Sequence, residues 1–352
     1  MTSVELELSQ RQAQAGILGT TKAVLHRLGF TPLGLALLVG VAILPVIPYF
    51  RQEHILRWLV AGALLAGQAA AFDFTAGFIN VVNFGFAAIL GVGAYTSAIL
   101  ANEMPFLIVQ PGISPWIGIW IGGLVAGLLG LGLGWLTLRL RGIYAAVMAW
   151  FVGLALIGLV RNLTPLTRGA LGLSPPMLLA PGAGNLPYFY IILGMMLVVY
   201  VVLRRITLSH VGLAFKAIGQ NIGAAKASGI NPTYYRVLNF ALSCAFAGWL
   251  GGFYAHYYAS LTPATLMHTS KTVEVLAIAY IGGRGSLWGG MVLAFPFVFF
   301  IQYLRSTFAD LPGLHLVIYG VLMISVMIFY PDGLSGLWES TLGRIRAALS
   351  KS

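Results

Sequence analysis

Long apolar runs separated by short polar connections dominate this chain. Each run is close to the roughly 20 residues that a helix needs to cross a bilayer, so the runs predict membrane-spanning helices. They cover residues 32–50, 55–74, 84–101, 115–138, 142–160, 187–203, 236–258, 286–304 and 314–330. A tenth apolar segment, 272–281, is shorter, and we interpret it as a short crossing. The pattern predicts an all-α, polytopic membrane helix bundle with roughly ten transmembrane segments.

The polar segment 208–235, LSHVGLAFKAIGQNIGAAKASGINPTYY, is a long hydrophilic and helix-prone stretch between two spans. Gly229 is typical of a helix end, and Pro232 is typical of the start of the next helix. A protein that only had to sit in lipid would not need an Ala-rich, mildly basic segment there. We therefore expect a partner outside the bilayer to bind the loop 206–235.

The composition agrees with a membrane protein. Of the 352 residues, 59% are hydrophobic and 8% are charged, against about 25% charged in an ordinary soluble domain. The net charge is +11, and the basic residues lie near span ends without interleaved aromatics. This favours contact with anionic membrane lipids and predicts no nucleic-acid partner. The single cysteine, Cys244, lies in an apolar run, where we expect a packing role.

The basic residues also predict the orientation in the membrane. When the tail 1–30 is placed in the cytoplasm and the chain alternates across all ten segments, 14 of the 20 Lys and Arg residues lie inside. This arrangement predicts a transmembrane domain at 31–338 and a cytoplasmic C-terminal tail at 339–352. If 272–281 returned to the outer face, the basic C-terminal tail would lie outside, which supports a short crossing.

Glycine is abundant, with 44 residues, and two patterns stand out. Small residues recur at helical spacing in one predicted span, at Gly118, Gly122, Gly123, Ala126 and Gly130. Such spacing lets helix backbones approach closely and favours a tight bundle. Gly-rich breaks at 77–85 and 282–290 precede apolar runs and are compatible with an inverted five-plus-five repeat. Chance recurrence in a glycine-rich chain explains them equally well.

The two breaks are candidates for a solute path, because unwound backbone at membrane depth must line a cavity or be covered by protein. Their sequences are GFINVVNFGFAA and GGRGSLWGG. With one nearby acid, the candidate path residues are Asn80, Asn83, Gly85, Phe86, Glu274, Gly283 and Ser286. The alternative is that the breaks are packing devices where two helices cross.

Two acidic side chains lie within or beside apolar runs, where an unpaired charge is costly. Asp73 lies at the inner end of the predicted span 55–74 and can reach interfacial water, which is the simpler interpretation. Glu274 lies three residues after Lys271, so a local ion pair is an equal alternative to a role in the solute path.

Motifs for catalysis and nucleotide binding are missing from the sequence. There is no Gly-Lys pair and hence no P-loop. The six histidines are scattered without an i, i+4 pair, and there is no Gly-x-Ser-x-Gly motif. We therefore expect no metal, no cofactor and no enzyme activity in this chain.

Four segments resemble the permease subunits of bacterial ABC importers for branched-chain amino acids, of the high-affinity leucine/isoleucine/valine type. They are GFINVVNFGFAAILGVGAYTSAIL (77–100), LRLRGIYAAV (138–147), KAIGQNIGAAKASGIN (216–231) and YIGGRGSLWGG (280–290). The resemblance covers about residues 70 to 338. One departure is Phe86, where relatives often have His.

The resemblance implies a coupling helix in the loop that docks on an ATPase subunit. The family motif is of the Glu-Ala-Ala-x-x-x-Gly kind, and here it reads Gly223-Ala224-Ala225 followed by Gly229. Its usual acidic residues are missing. The implied coupling residues are Gln220, Asn221, Ala224, Ala225, Lys226 and Gly229.

The resemblance also implies the partners and the location. They are a sister permease, two ATP-binding subunits that bind and hydrolyse the ATP, and a periplasmic solute-binding protein that would land near 163–172. The location would be the bacterial inner membrane, with both termini cytoplasmic. The expected solute is a branched-chain or related apolar amino acid. The alternatives are a urea or short-amide ABC permease and an ion-coupled secondary transporter that uses Asp73 and Glu274.

Overall fold

The computed structural model describes residues 39–102, 112–137, 143–180, 182–307 and 314–329. In these residues the regular structure is helical, apart from an isolated antiparallel bridge between Leu173 and Leu261. The helices are α1 (Glu53–Ala76), α2 (Phe86–Ala101), α3 (Pro115–Thr137), α4 (Ile143–Asn162), α5 (Thr164–Thr167), α6 (Asn185–Leu208), α7 (His210–Gln220), α8 (Ile222–Ala227), α9 (Pro232–Tyr258), α10 (Pro263–Leu266), α11 (Thr269–Gly282), α12 (Trp288–Thr307) and α13 (Leu314–Phe329). The predicted all-α class is confirmed.

Six of the described helices are long and apolar enough to cross a membrane: α1, α3, α4, α6, α9 and α12. Helix α2 is apolar but has only 16 residues. Helices α11 and α13 have 14 and 16 residues. The structure therefore supports a multi-pass membrane protein, while ten crossings and the inverted repeat stay predictions.

The first predicted span, 32–50, lies partly outside the described residues. Its described part ends in two short 3-10 helices, Leu44–Val46 and Pro48–Arg51. Pro45 and Pro48 each lack a backbone N–H donor, which prevents a continuous α-helix there. The predicted tails at 1–30 and 339–352 also lie outside the described residues.

Glycines join three helices at the centre of the bundle. Gly93 of α2, Gly122 of α3 and Gly248 of α9 touch backbone to backbone, and a Cβ atom on Gly93 would overlap Gly248. Gly130 of α3 lies against the buried Cys244 of α9. The predicted close packing through small residues in 115–138 is confirmed, because only glycine leaves room for backbones at these distances.

Helix α1 is held to the bundle by polar contacts as well as by packing. Asn239 of α9 donates a hydrogen bond to the Phe74 carbonyl at 2.9 Å, and Ser243 donates to the Ala71 carbonyl at 2.6 Å. On its other side, Trp58 packs edge-on against Phe299 of α12, with ring centroids 5.5 Å apart. The C-terminal turns of α1 are thereby fixed in position, and the candidate site is built on them.

Candidate functional site

The two glycine-rich breaks meet each other beside the end of α1. The first begins at Gly77, where α1 stops, and the second begins at Gly283, where α11 stops. A Cβ atom on Gly77 would overlap the backbone of Gly285. Two segments that lie about 200 residues apart in the sequence therefore form one contact, which requires glycine on the α1 side.

Asp73 holds the second break in place. Its side chain is 3% exposed. Its Oδ1 accepts a hydrogen bond from the Gly285 N–H at 2.7 Å, and its Oδ2 accepts one from the Leu287 N–H at 3.0 Å. Both donors have left-handed backbone, with φ of 80° and 59°. Because each oxygen receives a backbone donor, Asp73 closes a turn rather than reaching water.

Ser286 completes the turn at the start of α12. Its hydroxyl donates to the Gly283 carbonyl at 2.7 Å and accepts from the Gly289 N–H at 3.1 Å. Gly283 itself has φ of 109°, which favours glycine. Gly283 and Ser286, the two predicted path residues of the second break, are thus part of the turn. Ser286 is half-buried.

The first break is closed by its own side chains. Asn83 is fully buried, and its Oδ1 accepts from the Gly85 N–H at 3.0 Å. Gly85 lies against the Ala149 carbonyl of α4. Phe86 is buried and contacts Phe72 edge-on, with ring centroids 5.5 Å apart. These three predicted path residues are packed within the protein.

Asn80, the fourth path residue of the first break, points away from the other three. It is exposed, and its backbone φ of 54° is left-handed, which asparagine tolerates better than most residues. Its Nδ2 donates to the Gly219 carbonyl at 2.5 Å. Gly219 belongs to α7 and also lies against the backbone of Phe78. The first break is therefore joined directly to the polar loop.

The polar loop contains two short helices, α7 and α8. The side chain of Asn221 accepts from the Ala224 N–H at 3.0 Å and so caps the start of α8. At the other end, Gly229 has φ of 81°, and the Ile230 N–H donates to the Ala225 carbonyl at 3.0 Å. This is a Schellman ending. The predicted helix end at Gly229 is confirmed, and α9 begins at Pro232 as expected.

Five of the six predicted coupling residues are exposed: Gln220, Asn221, Ala224, Lys226 and Gly229. Ala225 is the exception, at 3% exposed. It faces the protein, where it packs α8 onto the rest of the chain. A partner that docks on α8 would therefore contact the side that bears Ala224, Lys226 and Ala227.

A cavity of about 270 Å³ lies between α1, α2, α9, α11 and α12. Phe86 and Glu274 are the two predicted path residues that line it. Glu274 Oε2 lies 2.8 Å from Lys271 Nζ, so the predicted local pair is confirmed. Gln68 of α1 and Arg305 of α12 line the same cavity.

Comparison with known proteins identifies the family. A family model described as "Branched-chain amino acid transport system / permease component" matches residues 54–327. The chain belongs to this permease family. No solved structure matches the chain.

Several curated relatives share this similarity. The permease protein LivM of a high-affinity branched-chain amino acid transport system is 26% identical in Salmonella typhimurium and 28% identical in Escherichia coli, over 73% of this chain. The chain matches 64% of the length of these two relatives. The Escherichia coli permease protein LivH is 22% identical over 82% of this chain and 96% of LivH.

Sequence reasoning missed several residues of this permease-family chain that the structure brings together. Gln68 and Arg305 lie inside or at the end of apolar runs and carried no motif. The bonds from Asp73 to Gly285 and Leu287 span more than 200 residues, so no local pattern reveals them. The cap by Asn221 could have been predicted from the sequence, because asparagine followed by a short Ala-rich run is a recognised helix start.

Proposed function

We propose that this chain is a transmembrane permease subunit of an ABC importer that moves branched-chain or related apolar amino acids inward. ATP hydrolysis takes place in partner subunits. The observation that carries the proposal is α8, an exposed helix capped at both ends and set between the long helices α6 and α9 of a permease-family chain. Such a helix offers a firm surface to a partner outside the membrane.

The outer side of α8 suits insertion into a groove. Ala224 and Ala227 are exposed and small, so a partner surface can approach the helix backbone closely. Lys226 adds one positive charge on the same side, in place of the acidic residues usual in the family motif. We therefore expect the ATP-binding subunit to present an apolar groove with an acidic or neutral edge.

Motion of α8 would be transmitted to the rest of the bundle through two connections. The helices α6 and α9 flank the loop directly. In addition, α7 contacts the first break through Asn80 and Gly219. Closure of two ATP-binding subunits would pull on both, and α6 and α9 would swing as rigid bodies between an outward-open and an inward-open state.

The remaining partners follow from the family and its relatives. LivM and LivH are both named as permease proteins of branched-chain amino acid transport, which supports a pore made with a sister permease. A periplasmic solute-binding protein would land near 163–172, where α5 and the 3-10 helix Gly169–Leu171 lie. The location is the bacterial inner membrane, with cytoplasmic termini.

One structural observation counts against an ion-coupled transporter. Both carboxylate oxygens of Asp73 already accept backbone hydrogen bonds from the second break, and protonation of this carboxylate would cost the turn at least one of them. The decisive assay is leucine uptake by the reconstituted assembly. We expect uptake to require ATP, to be inhibited by vanadate and to persist with an ionophore. The reverse pattern would refute the ABC mechanism.

Docking on α8 is tested by Ala224→Arg. A bulky charged side chain on the exposed side of α8 should remove most of the copurifying ATP-binding subunit, because a disrupted interface centre costs about 2 kcal/mol or more, roughly a 30-fold loss of affinity. Ala170→Arg, on the exposed 3-10 helix 169–171, is the matched control and should leave copurification unchanged. Normal stoichiometry with Ala224→Arg would show that α8 is not the docking element.

A further inference from the structure

The cavity between α1, α2, α9, α11 and α12 has a charged end and a buried end. At the charged end, Lys271 and Glu274 form their ion pair with side chains 44% and 25% exposed. The exposed Arg305 lines the same cavity. At the buried end lie Phe86 and Gln68, which are 0% and 8% exposed. A solute that entered would pass from charged groups in solvent to a buried interior.

Gln68 gives the cavity a polar group that can bind a polar solute. Its side chain lines the cavity and is only 8% exposed. An amide in a buried setting is favourable only when it is hydrogen-bonded, so a polar solute that binds beside Gln68 can supply a partner. If position 68 served helix packing alone, a leucine side chain in place of Gln68 would make the protein more stable.

Much of the remaining lining is aliphatic and fits a small side chain. Helices α1, α2, α11 and α12 contribute aliphatic groups, which include Leu64, Leu65, Leu90, Val275 and Val298, while α9 contributes Tyr254 and Tyr258. The volume of about 270 Å³ corresponds to roughly nine water molecules at about 30 Å³ each. Leucine, with about nine non-hydrogen atoms, is small enough for this volume. Pockets for drug-sized ligands are larger, at roughly 300–1,000 Å³.

The ion pair explains how a zwitterion can enter without leaving a charge unpaired. When an α-amino acid inserts between Lys271 and Glu274, its carboxylate takes the lysine and its ammonium takes the glutamate. One ion pair becomes two, and no charge is left unpaired. A neutral solute such as urea would have to separate the pair without replacing either partner.

We infer that this cavity is a transient binding site for the zwitterion of an apolar amino acid, with Glu274 holding the ammonium and Lys271 the carboxylate. Gln68 adds a hydrogen bond to the headgroup, and the aliphatic wall receives the side chain. The inference rests on the proposed import function and names where the solute is held. The floor is the first turn of α2, where the Ala87 N–H donates to Thr272 Oγ1 at 3.1 Å. Onward passage requires that turn to move.

The test measures access to the cavity in the assembled membrane complex, without the solute-binding protein. With Cys244→Ala as background, Val298→Cys places a thiol on the apolar wall. Leucine at millimolar concentration should slow its reaction with a small hydrophilic thiol reagent by about tenfold. Urea and N-acetylleucine amide, which lack the two charges, should have no effect.

Charge variants link the protection to the ion pair. Glu274→Gln in the same background should abolish protection by leucine, because it removes the partner of the ammonium. Glu53→Gln, at the start of α1 and outside the cavity lining, should retain it. Protection that survives Glu274→Gln, or protection by urea as strong as that by leucine, overturns the inference.

A second position keeps the test decisive if Val298→Cys fails to fold. Leu64→Cys lies on the α1 side of the same cavity. Thiols that are inert at both positions, or equally reactive with and without leucine, overturn the site. If the complete importer takes up leucine but leucine does not protect the thiols, the binding site is refuted and the import function stands. If leucine protects the thiols but the importer takes up no leucine, the import function is refuted and the binding site stands.

Discussion

The two glycine-rich breaks have similar compositions but are held in different ways. The second break is fixed from outside itself, by the buried Asp73 of α1. The first is closed internally by Asn83 and is joined to the polar loop by the exposed contact from Asn80 to Gly219. One break is anchored to the core of the bundle, and the other is connected to the surface that we propose for ATPase docking.

The difference indicates which break moves during transport. The anchor of the second break is buried, and α1 is itself bonded to α9 through Asn239 and Ser243. The link of the first break is an exposed hydrogen bond, worth only about 0.5–1.5 kcal/mol. We therefore expect the second break to stay rigid and the first break to shift with α7 and α8.

The largest effect is expected from Gly77→Ala, which attacks the contact between the breaks. The added Cβ would overlap the Gly285 backbone and the Asp73 carboxylate, neither of which can move away cheaply. Overpacking of this kind typically costs about 1–3 kcal/mol, and we expect the upper end. Thermal unfolding of the purified complex measures it. Gly132→Ala on α3, where a Cβ meets nothing within 4 Å, is the control and should be neutral. Equal stability of the two variants would contradict the packing.

The next largest effect is expected from Asp73→Asn, which removes the anchor alone. The side-chain amide can accept one of the two backbone donors but presents N–H to the other, which leaves a buried donor unpaired at a cost of about 1–3 kcal/mol. Hydrogen exchange at the Gly285 and Leu287 amides should accelerate about tenfold or more. Thr75→Val is the matched control, because the buried Thr75 hydroxyl donates to the Phe72 carbonyl of its own helix and not to the described residues of the second break. Unchanged exchange in Asp73→Asn would refute the anchor.

Asn80→Gly is expected to have the smallest effect on stability. Its specific effect should be on the coupling of ATP hydrolysis to solute movement. Glycine keeps the left-handed backbone and removes only the bond to Gly219. Stability should fall by about 1 kcal/mol or less. The amount of solute moved per ATP hydrolysed should fall, because the first break no longer follows α7. Lys216→Gln, exposed on the same helix α7, controls for a general effect on the loop. An unchanged ratio would mean that the link carries no motion.

Particular residues show what could be foreseen from the sequence and what could not. The end of α8 at Gly229 and the start of α9 at Pro232 follow from local backbone preferences, and both were predicted. The role of Ala225 was not, because burial of one side of a six-residue helix depends on what lies behind it. Of the seven candidate path residues, Phe86 and Glu274 line the cavity, while Ser286 and Asn83 serve their own turns.

The sequence by itself determined the all-α membrane class, the end of α8, the start of α9 and the family, because hydrophobicity, helix endings and family motifs depend on neighbouring residues. Only the tertiary structure decided which acid anchors a turn and which lines a cavity. Asp73 bonds to Gly285, and Gln68 and Glu274 line one cavity, because α1, α11 and α12 pack side by side. Contacts between residues about 200 positions apart depend on how the helices are arranged in space, and no local pattern in one sequence encodes that arrangement.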